Sequence, residues 1–262
     1  MPTTLILLIP ILIIVIYTIL RARSSRKSRS IINELSEIER KLLLKHVQYY
    51  QQLPAGDKQK FEHKITTFLA YIRIEGIGTA VDPLDRLLIA SSAIIPVFGF
   101  EDWKYNNLST VLLYPDTFNK DFQFEGAERS ILGMVGEGYM NGQMILSRAA
   151  LLQGFSNATD KENTAIHEFV HLLDKSDGAI DGIPDHLMKH EYTIPWVKMI
   201  HQEMQNIEKG KSDINPYAIT NEAEFFAVVS EYFFEKPAQL KAKHPQLYEI
   251  LSSTFLQDPA GK

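Results

Sequence analysis

The stretch of this sequence best placed to do chemistry is His167-Glu168-Phe169-Val170-His171. On a helix, residues i and i+4 share one face, so the two imidazoles can converge on a single ion. The glutamate beside the first histidine can reach a water on that ion. Zinc lowers the pKa of such a water toward neutrality, and a nearby carboxylate can take its proton. The pattern is the one zinc metalloproteases use to cut peptide bonds.

A catalytic zinc takes three protein ligands and leaves the fourth place to water. The chain has no cysteine, so only His, Asp or Glu can supply the third. A third histidine six residues past the motif is one known solution, but that place is Asp177. A carboxylate further along must serve. Glu222, Glu224 and Glu231 fall in a later helical stretch, Asn221 to Phe234. Glu224 and Glu231 are seven residues apart and share a face, so periodicity leaves both open. Asn221-x-x-Glu224 also suits a helix cap. Asp174, one turn after His171, reads as a carboxylate that steadies a ligand histidine rather than as a ligand. His186 and His190 repeat the i, i+4 spacing without a glutamate and carry no assigned role.

The elements that must hold these residues read as follows. Helices are expected from Ile31 through Val47, Asp57 to Ile72, and Pro83 to Phe98, with Pro54-Ala-Gly-Asp57 as a break. Strands are expected at Val111–Tyr114, Ile131–Tyr139 and Gln143–Ser147. Asn141-Gly142 between the last two signals a hairpin. Helices return at Lys161–Leu173, capped by Thr159 or Asp160, and at Ile194–Ile207, Asn221–Phe234 and Ala238–Leu251. Ala165, Ile166, Phe169, Val170 and Leu173 give the motif helix one apolar stripe. The body is thus expected to be one α+β domain, mainly helical, with a small antiparallel sheet. The Gln143–Ser147 strand is expected to pair with an extended substrate.

The chain has 262 residues and a formal net charge of −5. Its first 30 residues hold five basic side chains and no acidic one, which leaves 22 basic against 32 acidic residues, −10, in the rest. Met1 to Leu20 carries no charge and Leu5 to Leu20 is almost wholly aliphatic. A helix of about 20 such residues spans a bilayer. Residues 1–22 therefore read as an N-terminal transmembrane helix and 23–30 as a basic juxtamembrane linker. Residues 31–262 read as the catalytic domain, held on the cytoplasmic side of the cell membrane by the basic cluster. The acidic body argues against direct nucleic-acid binding.

Two blocks make the sequence similar to a known family. One is Ala165-Ile-His-Glu-Phe-Val-His-Leu-Leu-Asp174, followed by Asp177-Gly178, Asp181-Gly182 and Pro184. The other runs from Tyr217 through Glu224 to Phe234. Both resemble the Mlc titration factor A family of zinc-dependent peptidases, with weaker matches at Tyr114-Pro115, Phe118 and Met144–Ser147. The resemblance runs from about Leu84 to the C-terminus. It implies a zincin-like fold and a gluzincin-like site with one Zn2+ per chain. His167, His171 and Glu224 would be the ligands, Glu168 the general base, and Tyr217 a donor to the developing oxyanion. Glu231 then becomes a supporting carboxylate. It implies hydrolysis of a peptide or protein substrate, in an aminopeptidase-like form among others. It also implies a second role, sequestration of a glucose-responsive transcriptional repressor. The chain departs from the family at Arg148, where an aromatic usually follows the Leu-Ser pair, and in its apolar N-terminus. The first departure suggests an altered substrate preference.

Overall fold

Side-chain caps start several of the helices, the two that carry the site among them. Ser36 and Asp82 each form a reciprocal capping box, with Glu39 and Asp85, and open α1 (Glu37–His46) and α4 (Pro83–Val97). Asn163 caps α6 (Thr164–Asp174) through Ile166 N–H, and Asn221 caps α8 (Glu222–Glu235) through Glu224 N–H. The computed structural model describes residues 34–126, 128–156 and 161–261. The anchor and linker expected at 1–22 and 23–30 lie outside the described residues. Among the described residues no helix is long and apolar enough to cross a membrane.

The helix pattern holds with shifted bounds. Where a helix was expected from Ile31 through Val47, α1 starts only at Glu37, after its Ser36 cap, and ends at His46; a further short helix, α2 (Gln48–Gln52), follows, and α3 (Ala55–Tyr71) starts directly after Pro54. The motif helix begins at Thr164, three residues later than expected, because Asn163 is its cap. Helix α5 (Arg148–Ser156) was not anticipated; it follows a strand without a break, with Ser147 Oγ accepting the Ala150 N–H at 3.2 Å. Helix α7 (His190–Glu208) runs through Pro195. The last expected helix is two, α9 (Pro237–Lys243) and α10 (Pro245–Phe255), because Pro245 disfavours a helical His244.

The expected antiparallel sheet is instead mixed. Four strands, β1 (Arg73–Gly76), β2 (Leu108–Tyr114), β3 (Gly133–Val135) and β4 (Gly142–Ser147), lie in the order β1-β2-β4-β3. β1 and β4 both pair with β2 in parallel, Ile74 beside Val111 and Leu113 beside Leu146. Helix α4 makes the crossover that parallel pairing of β1 and β2 requires. Among the described strands, β3 and β4 pair antiparallel, and just before β3 an isolated antiparallel bridge joins Ile131 to Phe118. The hairpin of β3 and β4 is not the two-residue turn suggested by Asn141-Gly142. The connection runs from Gly136 to Asn141 through a 3-10 turn at Gly138–Met140, and Gly142 opens β4 at φ +84°.

The core explains why the motif helix is rigid. The apolar stripe of α6 is wholly buried, Ala165, Ile166, Phe169, Val170 and Leu173 with Leu172 beside them, and the polar face with Glu168, His171 and Asp174 is buried as well. Phe169 meets Phe68 of α3 and Tyr105 edge-on, at 5.8 and 5.3 Å between ring centres. α8 is buried along its length, with Phe226 stacked on Phe255 and edge-on to Trp196. The two helices pack together between the sheet and the C-terminal helices.

Candidate active site

The i, i+4 spacing brings His171 Nε2 within 3.0 Å of His167 Nε2. From α8, Glu224 Oε2 reaches to 2.9 Å from His167 Nε2 and 3.5 Å from His171 Nε2. Ligand atoms held about 2.0–2.1 Å from a tetrahedral zinc stand ~3.3 Å apart, so this triangle has the right size. It is the group among the described residues suited to one metal ion. The electrostatics agree. Burial works against a charge on His167, but its hydrogen bonds to Glu224 and Glu231 outweigh this and raise its pKa well above the usual imidazole value. Burial likewise opposes ionisation of Glu224, and its bonds to His167 and His171 reverse this and hold it below the usual carboxylate range. The site thus favours positive charge between these three groups.

Glu231 separates cleanly from Glu224. Its Oε1 lies 2.7 Å from His167 Nδ1, and its Oε2 accepts the Asn163 N–H at 2.5 Å. A carboxylate can only accept there, so Nδ1 carries the proton and the Nε2 lone pair is left for an ion. Glu231 is therefore the carboxylate that orients a ligand histidine. Sequence reasoning had placed Asp174 in such a role beside His171. Asp174 instead accepts the Gly182 N–H at 2.8 Å, while Gly182 O receives the Trp196 indole N–H at 2.7 Å. Gly182 sits at φ +75°, and a Cβ there would meet the Glu222 carbonyl oxygen at 2.2 Å. Asp174 thus fastens the 175–182 loop against the start of α8. His171 Nδ1 has no partner among the described residues.

Glu168 is 7% exposed. Burial raises its carboxyl pKa, with His167 and His171 opposing. Its side chain lies against Gly133 of β3, where an added Cβ would fall 2.6 Å from Glu168 Cγ. β3 is an edge strand among the described residues, and its register decides which groups it offers. Leu132 and Gly136 bond to Ser147 and Gln143 across the ladder. In antiparallel alternation, Gly133 and Val135 then turn their N–H and C=O groups away from β4. The strand able to take an extended peptide is therefore β3. Gln143–Ser147, expected in that role, is sandwiched between β2 and β3.

Tyr217 stands in a 3-10 turn, Pro216–Ile219, with its ring 6.1 Å from that of His167. It is half exposed, and burial and then the carboxylates of Glu224, Glu168 and Glu231 raise its pKa, which keeps the phenol a donor. These groups line a cleft of about 680 Å³ with β3 on one wall and the start of α8 on another. Arg148 does not line it. Its guanidinium pairs with Asp85 at 2.8 Å and Asp82 at 2.7 Å at the head of α4, so the departure at this position is structural. His186 and His190 also stay out of the cleft, whereas His201 lines it.

The buried His-Glu-His set with a glutamate from a later helix is the ligand signature of zinc metallopeptidases. Similarity to known proteins extends over most of the domain. A protein of Synechocystis sp., described as uncharacterized, is 33% identical over 225 residues, covering 80% of each chain. Mlc titration factor A of Klebsiella pneumoniae is 28% identical over 227 residues, 80% of this chain and 83% of that one. Mlc titration factor A of Escherichia fergusonii is 29% identical over 222 residues, 79% and 82%. A family model described as glucose-regulated metallo-peptidase M90 matches residues 21–256. With its ligand set assembled inside that span, the chain belongs to the M90 family of metallopeptidases.

Proposed function

We propose that this chain is a regulatory metallopeptidase, which sequesters a protein partner of the transcriptional-repressor class and carries a zinc site that hydrolyses peptide bonds. The shared name of the relatives, Mlc titration factor A, supports the sequestering role. The convergence of His167, His171 and Glu224 supports the hydrolytic one.

Zinc held by those three residues would supply an activated water and polarise the scissile carbonyl. The remaining work belongs to the protein. Gly133 and Val135 of β3 align an extended substrate by backbone pairing. Glu168 takes the proton of the attacking water and returns it to the leaving amine. The Tyr217 hydroxyl donates to the oxyanion as it forms. Glu231 holds the His167 tautomer throughout.

Two measurements separate the roles. Glu168→Gln is expected to abolish cleavage of a short chromogenic peptide while zinc content is kept; equal activity in both proteins would sink the hydrolytic reading. His167→Ala is expected to lose zinc and cleavage yet still co-purify with a purified Mlc-type repressor. Failure of the wild type to bind that repressor would sink the sequestering role. The reading includes a single-pass anchor at residues 1–22 with the body in the cytoplasm, supported by the uncharged apolar run and the basic cluster. Recovery of the full chain in the soluble fraction of lysed cells would refute it.

A further inference from the structure

The cleft around the metal ligands is lined by five carboxylates, Glu137, Glu168, Asp181, Glu222 and Glu224, and by no lysine or arginine. A doubly charged ion on neutral imidazoles balances Glu168 and Glu224. Glu137, Asp181 and Glu222 then remain as further negative charge in the lining, with His201 the one basic side chain there besides the ligand histidines. Among the described residues, Glu137 and Asp181 form no ion pair. Asp181 Oδ1 only accepts the Ile183 N–H, at 3.0 Å. Glu222 has one basic neighbour, His201 Nε2 at 3.9 Å, and both side chains are about half exposed. Lys175, close to Glu137 in space, donates to Gly136 O and Asn141 Oδ1 instead.

The three acidic groups stand on two sides of a path a peptide would follow. Glu137 lies two residues beyond the end of β3, four residues from the Gly133 that touches the Glu168 side chain. At ~3.3 Å per residue, that is about 13 Å of extended chain. Asp181 and Glu222 stand together at the start of α8, because Gly182 packs on the Glu222 backbone. A cleft of one charge sign with low-dielectric walls concentrates the opposite charge.

We propose that the cleft selects a basic peptide segment, with lysine or arginine side chains of an extended chain meeting Glu137 on the β3 side and Asp181 with Glu222 on the α8 side. This rests on the peptide-binding reading of the same cleft and narrows it to a substrate class. Both a cleaved peptide and the bound segment of a sequestered partner would carry that character.

The test uses the full-length, zinc-loaded protein with Glu168→Gln, so that peptides bind without being cut. Three fluorescent peptides of equal length share one central sequence and carry flanking lysines, serines or glutamates. Anisotropy is expected to show the lysine peptide binding about tenfold tighter than the serine peptide at low salt, from two exposed charge pairs of modest strength. The glutamate peptide is expected to bind more weakly than either, and the spread to narrow as salt screens the rim. Adding Glu137→Gln, Asp181→Asn and Glu222→Gln together is expected to bring the lysine-to-serine ratio close to one. Asparagine can still accept the Ile183 N–H, so the loop keeps its turn. Equal affinity for lysine and serine peptides, or a ratio that survives the triple substitution, overturns the charge selection and leaves peptide binding standing. Binding of none of the three peptides overturns the peptide reading of the cleft and the inference with it.

Discussion

Replacing Gly133 by alanine tests whether the edge strand positions Glu168, the proposed general base. The added Cβ would stand 2.6 Å from Glu168 Cγ, 2.7 Å from Oε1 and 2.9 Å from Cδ. Unbonded carbons rest about 3.5–4.0 Å apart, so the Glu168 side chain must retreat by about 1 Å. A displacement of that size costs on the order of a hundredfold in rate, about 2.7 kcal/mol of barrier. The three atoms nearest the new methyl all belong to Glu168, so the ligands are not struck. Gly133→Ala is therefore expected to keep full zinc content and a melting temperature near that of the wild type, with kcat down about a hundredfold. The assay pairs kcat and KM on a short chromogenic peptide with metal analysis of the same sample. In a Glu168→Ala background the new methyl has nothing to strike, so the substitution is expected to have no further effect on rate or stability. A kcat within twofold of wild type, or a fall that tracks zinc loss, would refute the positioning argument.

Two other perturbations probe the groups behind the site. Glu231→Gln can accept from His167 Nδ1–H or from Asn163 N–H but turns an amide donor on the other, so zinc affinity is expected to fall about 10–100-fold; chelator competition that shows no change would count against it. His244 lies 2.9 Å from Asp213 Oδ1 and 3.3 Å from Glu203 Oε2, and the bond to Glu203 raises its pKa, with burial opposing and Asp213 adding. A raised imidazole contributes stability that is complete below its unfolded value of about 6.5 and is lost as pH rises through the folded one. The drop in melting temperature caused by His244→Asn should thus be larger at pH 6 than at pH 9, and equal drops would dispose of the idea.

What the sequence disclosed depends on how local the determining contacts are. The HExxH pair was legible because helix period alone sets the approach of His167 and His171. α4 begins at Pro83, as a first-turn proline signals, whereas α1 begins at Glu37, six residues after the expected Ile31, because its cap is Ser36. α5 had a signal that went unused: Ser147 before an Ala-Ala-Leu-Leu run reads as a helix start. β1 offered little, since only Ile74 of its four residues is buried. The parallel pairings of β1 and β4 with β2 leave no local mark, whereas Asn141-Gly142 does. That asymmetry is why the sheet read as antiparallel.

One misreading and one question that spacing left open have a single physical origin. The motif helix was assigned an earlier cap, and Glu224 could not be told from Glu231 by spacing. Both questions are answered by a contact 68 residues apart in sequence, the Asn163 N–H on Glu231 Oε2. Asn163 caps α6 with its side-chain oxygen, while its amide nitrogen donates to Gly154 O and Glu235 Oε1. Its backbone thereby draws Glu231 to the first turn of α6, level with His167 Nδ1. Glu224, two turns nearer the start of α8, is left opposite both Nε2 atoms. The residue that begins the motif helix thus also fixes which glutamate orients a ligand and which becomes one. No periodicity within either helix carries that information, because it is a property of how α6 meets α8.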